Sequence, residues 1–283
     1  MTNLRICREI GETHGICRAI RQNDLCLGLV PTMGALHEGH LSLMRAAKVK
    51  CEMVAVSIFV NPTQFGPTED LAKYPRTFER DCQLLESEGV DIVFAPSVEE
   101  MYPKGEVTWV TVEGLSEKLD GKSRPGHFRG VTTVVSKLLH IVEPDVAFFG
   151  QKDAAQLAVI RRMVRDLNIP VEIVACPIVR EPDGLAMSSR NAYLNAEDRR
   201  RALVLQRSLR RVEEEFRKGE RKATQLGAIA KDVFAEEPVR LDYFEIVDPD
   251  TLDPVEKILG PALVAVAAYV GPTRLIDNTL LNG

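Results

Sequence analysis

From residue 25 to residue 175 the chain keeps switching between two hydrophobic periods, and few folds accommodate that alternation. Short strand-like runs occur at 25–30, 53–60, 90–95, 146–149 and 171–175, that at 53–60 rich in β-branched residues. Between them the apolar residues fall at helical spacing. Leu41, Met44 and Ala47 form one such stripe, and Phe78, Cys82 and Leu85 a second that Gly89 ends. Val131, Val134, Val135, Leu138, Leu139 and Val142 form the strongest stripe, followed by Leu157, Ile160, Val164 and Leu167. Strand and helix in alternation predict an α/β fold: a Rossmann-like parallel sheet with helices on both faces. Such sheets bind ligands at the carboxyl ends of their strands, so the segments after residues 30, 60, 149 and 179 are where chemistry is expected.

The pattern changes near residue 190. Asn195 is placed to cap a helix whose apolar face is Ala202, Leu205, Leu209, Val212 and Phe216, and a second helix is expected over 224–235. Three strand-like runs follow at 241–247, 262–270 and 274–281. Helices first and strands afterwards imply a separate, smaller α+β domain. The expected division is a catalytic domain over 1–187 and a small C-terminal domain over 188–283.

Charge and composition remove several function classes. The formal net charge is -5, with no long basic stripe, so a nucleic-acid partner is not expected. The local basic runs near 198 and 217 read as solvated helix faces. No run reaches the ~18 apolar residues of a membrane helix. The N-terminal stretch is charged throughout, which leads us to expect a cytoplasmic protein without membrane association. The six cysteines include no CxxC pair and match no zinc spacing, so reduced, mostly buried thiols are expected.

Five segments carry candidate chemistry. PTMGALHEGH, residues 31–40, leaves a strand and enters a helix, with glycines that let a ligand approach the backbone. His37 and His40 stand at the mouth of that helix, where a positive dipole end and two imidazoles suit a polyphosphate. FFGQKDAAQ, residues 148–156, makes the same strand-to-helix passage: Lys152 offers a point charge, Asp153 a helix cap, and Gln156 stands one turn in. EPDGLAMSSRNAYL, residues 181–194, brings two hydroxyls and a guanidinium together, a set that suits phosphate oxygens but also fits a polar linker. The long polar segment beginning FVNPTQF at residue 59 contains Gln64, a forked neutral side chain able to grip a hydroxy acid. RPGHFRG, residues 124–130, puts His127 and Arg129 before a helix, either as an anion site or as a capped turn.

Taken in order, PTMGALHEGH, NPTQF, YPRT, RPGHFRGV, FFGQKD and DGLAMSSRN resemble the pantoate–β-alanine ligase family, strongly over about residues 25–195. The HxGH pair alone is shared by a wide nucleotidyltransferase superfamily; its combination with NPTQF and GLAMSSRN is far more specific. The resemblance implies a Rossmann-like domain with a C-terminal lid, a homodimer, and ATP and Mg2+ as co-substrate and companion ion. It implies adenylation of pantoate followed by attack of β-alanine on the acyl carbon, releasing AMP. Met33, Gly34, Ala35, Leu36, His37, Glu38, Gly39 and His40 would line the ATP site, with His37, His40, Lys152 and Arg190 as the catalytic set. Gly150, Gln151, Lys152, Asp153, Val179, Met187, Ser188, Ser189 and Arg190 would complete the nucleotide contacts, and Gln64 and Gln156 would hold pantoate. No departure from the family pattern removes a key side chain. The metal ligands stay open, with Asp81 as one candidate.

Two rivals share these residues. A nucleotidylyltransferase acting on a phosphate ester also needs HxGH, but wants a second anion pocket in place of the two glutamines. A non-catalytic nucleotide-binding regulator would have no use for both histidines, Lys152 and Arg190 together.

Overall fold

The strand-like runs of the first part pair as parallel strands in the computed structural model, which describes residues 4–67 and 69–282. The elements of the first part, in chain order, are β1 (Arg5–Cys7), α1 (Ile10–Gln22), β2 (Leu27–Thr32), α2 (Glu38–Lys50), β3 (Met53–Ile58), α3 (Phe78–Ser87), β4 (Ile92–Phe94) and the single turn α4 (Val98–Met101). There follow α5 (Asp120–Ser123), α6 (His127–Val142), β5 (Val146–Gly150), α7 (Ala154–Asp166) and β6 (Glu172–Cys176). The sheet order is β1-β4-β3-β2-β5-β6, with every pairing parallel. After β2 the chain builds outward through β3 and β4, then returns to lay β5 on the other side of β2. That reversal is where an open α/β sheet offers a crevice for ligand.

This sheet has the Rossmann-like architecture that the alternation predicts. Val30, Met44, Ala47, Val54, Val56, Leu85, Val93 and Phe148 are buried together between strands and helices. Burying one such side chain contributes on the order of 1.5–3 kcal/mol. The single turns α4 and α5 were not expected, nor were β1 and α1. β1 has three residues and only Cys7 is buried; α1 follows, with Thr13, Cys17 and Ile20 inward at helical spacing. Leu167 falls just beyond α7 and is exposed, so it is not part of that helix's packed face.

The second part contains α8 (Ala196–Arg217), α9 (Ala223–Ala235), β7 (Arg240–Val247), β8 (Ala262–Val270) and β9 (Thr273–Leu281). The three strands form an antiparallel sheet with β8 in the middle, and eight of the nine β8 residues are buried. Leu205, Leu209, Val212, Phe216, Leu226, Phe234, Val264, Val266 and Leu275 form its core. Asn195 caps α8 as its sequence position indicates: its side-chain oxygen accepts from the Asp198 N–H at 2.8 Å.

The chain packs as two compact units. One holds residues up to 116 together with 124–150 and 159–177; the other holds 117–123, 151–158 and everything from 178 onward. Among the described residues, no helix is long and apolar enough to cross a membrane.

Candidate nucleotide and carboxylic-acid sites

The segment between β2 and α2 is held from behind by a buried carboxylate. Asp81, on α3 and 1% exposed, accepts from the Ala35 N–H at 2.9 Å with one oxygen. Its other oxygen accepts from the Leu36 N–H at 2.9 Å and the Thr77 hydroxyl at 3.1 Å. These bonds need a turn of positive φ at Gly34 (79°) and Ala35 (50°). A Cβ on Gly34 would come within 3.1 Å of Asp81 Oδ2 and of Ile58, a tight fit added to a positive φ that favours glycine. Asp81 therefore holds this segment in place through both of its oxygens.

His37 is the N-cap of α2 and His40 its third residue, so the rings come together with centroids 4.1 Å apart. The His37 backbone N–H donates to His40 Nδ1 at 3.3 Å. A backbone N–H can only donate, so Nδ1 is an acceptor and the neutral ring carries its proton on Nε2. His40 is thereby set as a donor at the positive end of a thirteen-residue helix. Leu36 is packed in the core, and the Glu38 carboxylate is paired outward with Arg45. Those two residues offer a ligand backbone and little else.

Gln64 stands in the same unit, in the 3-10 turn Pro62–Gln64 after β3. Its Nε2 lies 3.4 Å from the Met33 sulfur, so the acid-binding candidate adjoins the histidine segment. Asn61, 1% exposed, fixes the turn. Its amide nitrogen donates to Gln64 Oε1 at 3.0 Å and to the Gly130 carbonyl at 3.1 Å. Its oxygen accepts from Thr63 Oγ1 and from the Tyr102 hydroxyl, each at 2.9 Å.

The RPGHFRG segment supports that turn. His127 is the first residue of α6; its Nδ1 donates to the Gln64 carbonyl at 2.8 Å, and its Nε2 accepts from Arg124 at 2.9 Å. Both ring nitrogens serve packing, which favours the capped-turn reading over the anion site. Arg124 forms a bidentate pair with Glu69, both bonds at 2.7 Å. Arg129 lies over the Trp109 ring, 4.6 Å from its centroid. A Cβ at Gly130 would sit 2.4 Å from the Thr63 carbonyl oxygen, so this glycine sets how closely α6 approaches the Gln64 turn.

The other unit carries the remaining candidates except Gly150, which belongs to the first. Gly150 ends β5, and Gln151, Lys152 and Asp153 form a 3-10 turn into α7, with Lys152 Nζ 3.8 Å from Asp153 Oδ1. Gln156 lies in the first turn of α7, half-buried. Val179 and Met187 face each other at the base of a hairpin: Met187 N–H donates to the Val179 carbonyl at 3.0 Å, and Arg180 pairs with Ala186. Ser188 then caps a 3-10 turn, Ser189–Tyr193, by accepting from the Arg190 N–H at 3.3 Å. Asn191 ties this turn back, donating to Glu181 at 2.7 Å and to the Ala186 carbonyl at 3.1 Å. Arg199 closes the hairpin onto Glu181 and Asp183 at 2.6 and 2.8 Å.

Sequence reasoning missed the residues that hold these segments: Asn61, Tyr102, Asp277 and Asn278, with Asp81 assigned another role. The available signal was polarity in the wrong place. Asp277 and Asn278 interrupt an apolar strand, and Asn61 ends the apolar run that continues past β3 through Phe59 and Val60. Among the described residues no cluster of three His, Cys, Asp or Glu side chains could hold a metal ion.

A family model described as pantoate-beta-alanine ligase matches residues 5–280. A pantothenate synthetase of Acidobacterium capsulatum is 68% identical over 90% of this chain and 86% of its own length. Among solved structures, a pantothenate synthetase from Thermus thermophilus aligns with TM-score 0.91 and 46% identity, over 97% of this chain and 98% of that one. A pantoate-beta-alanine ligase from Francisella tularensis, complexed with beta-gamma ATP and beta-alanine, aligns with TM-score 0.77 and 36% identity, over 98% and 97%. With a Rossmann-like sheet, a smaller antiparallel domain and this motif order behind it, the chain belongs to the pantoate–β-alanine ligase family.

Proposed function

We propose that this ligase activates pantoate with ATP as an acyl adenylate and then transfers the acyl group to the amine of β-alanine, giving pantothenate, AMP and pyrophosphate. A carboxylate is a poor electrophile; joined to AMP as a mixed anhydride it acquires a good leaving group. The protein's task in the first step is to align carboxylate oxygen with the α-phosphorus and to neutralise charge on departing pyrophosphate. His40, with Nε2 protonated at the α2 N-terminus, and His37 beside it take that second role. Lys152 adds a positive charge, Ser188, Ser189 and Arg190 add phosphate donors, and Gly150, Gln151, Asp153, Val179 and Met187 complete the nucleotide contacts.

The observation that carries this reading is the 3.4 Å approach of Gln64 to Met33, which sets a hydroxy-acid donor beside the histidine segment. Gln156 is assigned to the same substrate. Met33, Gly34, Ala35, Leu36, Glu38 and Gly39 contribute backbone and shape; Asp81 already occupies the amides of Ala35 and Leu36. Mg2+ would accompany ATP, where phosphate oxygens and water would suit its coordination. Residues 188–283 act as the domain that shields the adenylate from water, which would hydrolyse it. We further infer a homodimer working in the cytoplasm; light scattering should return about twice the 31.5 kDa chain mass.

The test is isotope exchange. Labelled pyrophosphate should enter ATP when pantoate and Mg2+ are present and β-alanine is absent. Exchange that requires β-alanine would indicate a concerted or amine-first route and end the two-step reading.

A further inference from the structure

β9 carries two polar residues that are 3% exposed, Asp277 and Asn278, in the sequence TRLIDNTLL. Asn278 Nδ2 donates to the Gln151 and Lys152 carbonyls, both at 2.9 Å. Its Oδ1 accepts from Gln151 Nε2 at 3.3 Å. Asp277 receives Arg180 in a bidentate pair, at 2.6 and 2.9 Å, and the Asn278 N–H at 2.8 Å. Arg180 also donates to the Gly184 carbonyl at 3.1 Å, across the hairpin whose base is Val179 and Met187.

Stability is a poor account of this pair. Burying an amide and a carboxylate in a strand costs desolvation, and apolar residues of similar volume commonly serve a core as well or better. What the two residues achieve is placement, because one rigid strand grips two separate segments. We propose that Asp277 and Asn278 are positioning residues for the nucleotide. Asn278 fixes the Gln151–Lys152 backbone so that the Lys152 ammonium is pre-placed for phosphate, and Asp277 fixes through Arg180 the hairpin that leads into Met187, Ser188, Ser189 and Arg190. The proposal rests on the reading of these two segments as nucleotide-binding.

Tying back two carbonyls has a further consequence. A carbonyl oxygen near a phosphate is repulsive, and Asn278 engages the Gln151 and Lys152 carbonyl oxygens with its own amide. The binding energy of ATP then need not be spent on ordering the turn.

The experiment uses the full chain with Asn278→Ala, Lys152→Ala, the double variant, and Thr279→Val as a β9 control outside this network. The readouts are KM for ATP, KM for β-alanine, pyrophosphate exchange and thermal unfolding. Asn278→Ala should raise KM for ATP roughly 10-fold, the scale of one lost positioning contact, and leave KM for β-alanine within about twofold. Thr279→Val should leave both unchanged. The double variant should be little worse than Lys152→Ala, because Asn278 acts largely through the turn that carries Lys152. If Asn278→Ala fails to fold, Asn278→Ser should fold and show a smaller, still ATP-selective rise. An unchanged KM for ATP in a folded Asn278 variant, an equal rise for every substrate, or multiplicative effects in the double variant would overturn the proposal. Lys152→Ala separates the two readings. If that variant keeps a normal KM for ATP and normal exchange, the nucleotide assignment of the turn is wrong. If it is impaired while Asn278 variants are normal, only the positioning role is wrong.

Discussion

The segment at His37 and the turn at Lys152 are both strand-to-helix passages, yet they are anchored by opposite chemistry. In the first, two backbone N–H groups are gathered by a carboxylate, Asp81, from 45 and 46 residues away. In the second, two carbonyls are gathered by an amide, Asn278, from 126 and 127 residues away. The difference teaches what each turn must expose. Behind the histidines, Asp81 pins a strained turn so that α2 begins with His37 and His40 in register. At Lys152, Asn278 draws carbonyl dipoles to itself and leaves the cation to act. The anchor's residue type follows from which half of the peptide group it faces.

The largest expected effect lies in front of the anchors. His40→Ala removes the Nε2 donor and should lower pantoate-dependent pyrophosphate exchange about 10²–10³-fold, roughly 3–4 kcal/mol, with the fold intact. A rate within threefold of the parent would take His40 out of the mechanism and leave the comparison with Lys152 without its catalytic side.

Behind the histidines, Asp81→Asn preserves shape but turns an NH2 toward a backbone N–H. We expect a loss of about 2–3 kcal/mol in denaturant unfolding, the scale of a charged hydrogen bond replaced by an unsatisfied donor. The mirror substitution, Asn278→Asp, should also damage its turn, because a carboxylate has nothing to donate to two carbonyls. If both isosteric changes were silent, the anchors would be interchangeable and the argument from donor and acceptor type would fail.

Much of this was legible in sequence, and the rest was hidden for a physical reason. Strand and helix periods gave the parallel sheet, and strand–glycine–helix contexts marked the segments at His37 and Lys152. β1 escaped because it is three residues long with only Cys7 inward, so no period could register. α1 did have a signal in Thr13, Cys17 and Ile20, masked by the charged residues around it. Which backbone groups the anchors serve was out of reach. Asp81 on α3 and Asn278 on β9 act on backbone groups far along the chain, and a backbone amide leaves no mark in the sequence that names its partner. His127 shows the same limit: the sequence left anion site and capped turn open, and only the Gln64 carbonyl 2.8 Å away favours the second.

A smaller effect should follow at the acid-binding turn, which has a steric support, Gly130, beside its polar anchors Asn61 and His127. Gly130→Ala puts a methyl group 2.4 Å from the Thr63 carbonyl oxygen, so α6 and the turn must separate. Overpacking of this kind costs about 1–3 kcal/mol. KM for pantoate should rise more than KM for ATP. Equal changes in both would mean that Gln64 does not define the acid pocket.

The smallest expected effect compares the ion pairs that brace the two regions, Glu69–Arg124 beside Gln64 and Glu181–Arg199 beneath the hairpin. Burial pushes the Glu69 carboxyl up, but its paired guanidinium outweighs this and holds it below the usual glutamate range. Glu181 behaves alike: burial raises it, while Arg199 and Asn191 bring it down. A carboxylate with a lowered folded pKa contributes stability that is present above its unfolded value, about 4.3, and lost as pH falls through the folded value. Both pairs are partly solvated, so each should contribute on the order of 1 kcal/mol or less. Denaturant midpoints of Glu69→Gln and Glu181→Gln should therefore fall below the parent's near neutral pH, with the gap closing as acid protonates the parent carboxylates. Glu69→Gln should also weaken pantoate use slightly, since Arg124 supports His127, and Glu181→Gln should weaken ATP use instead. A gap that stayed constant into acid would show that neither carboxylate works through its charge. A swap of the two substrate effects would show that the pairs brace the opposite sites.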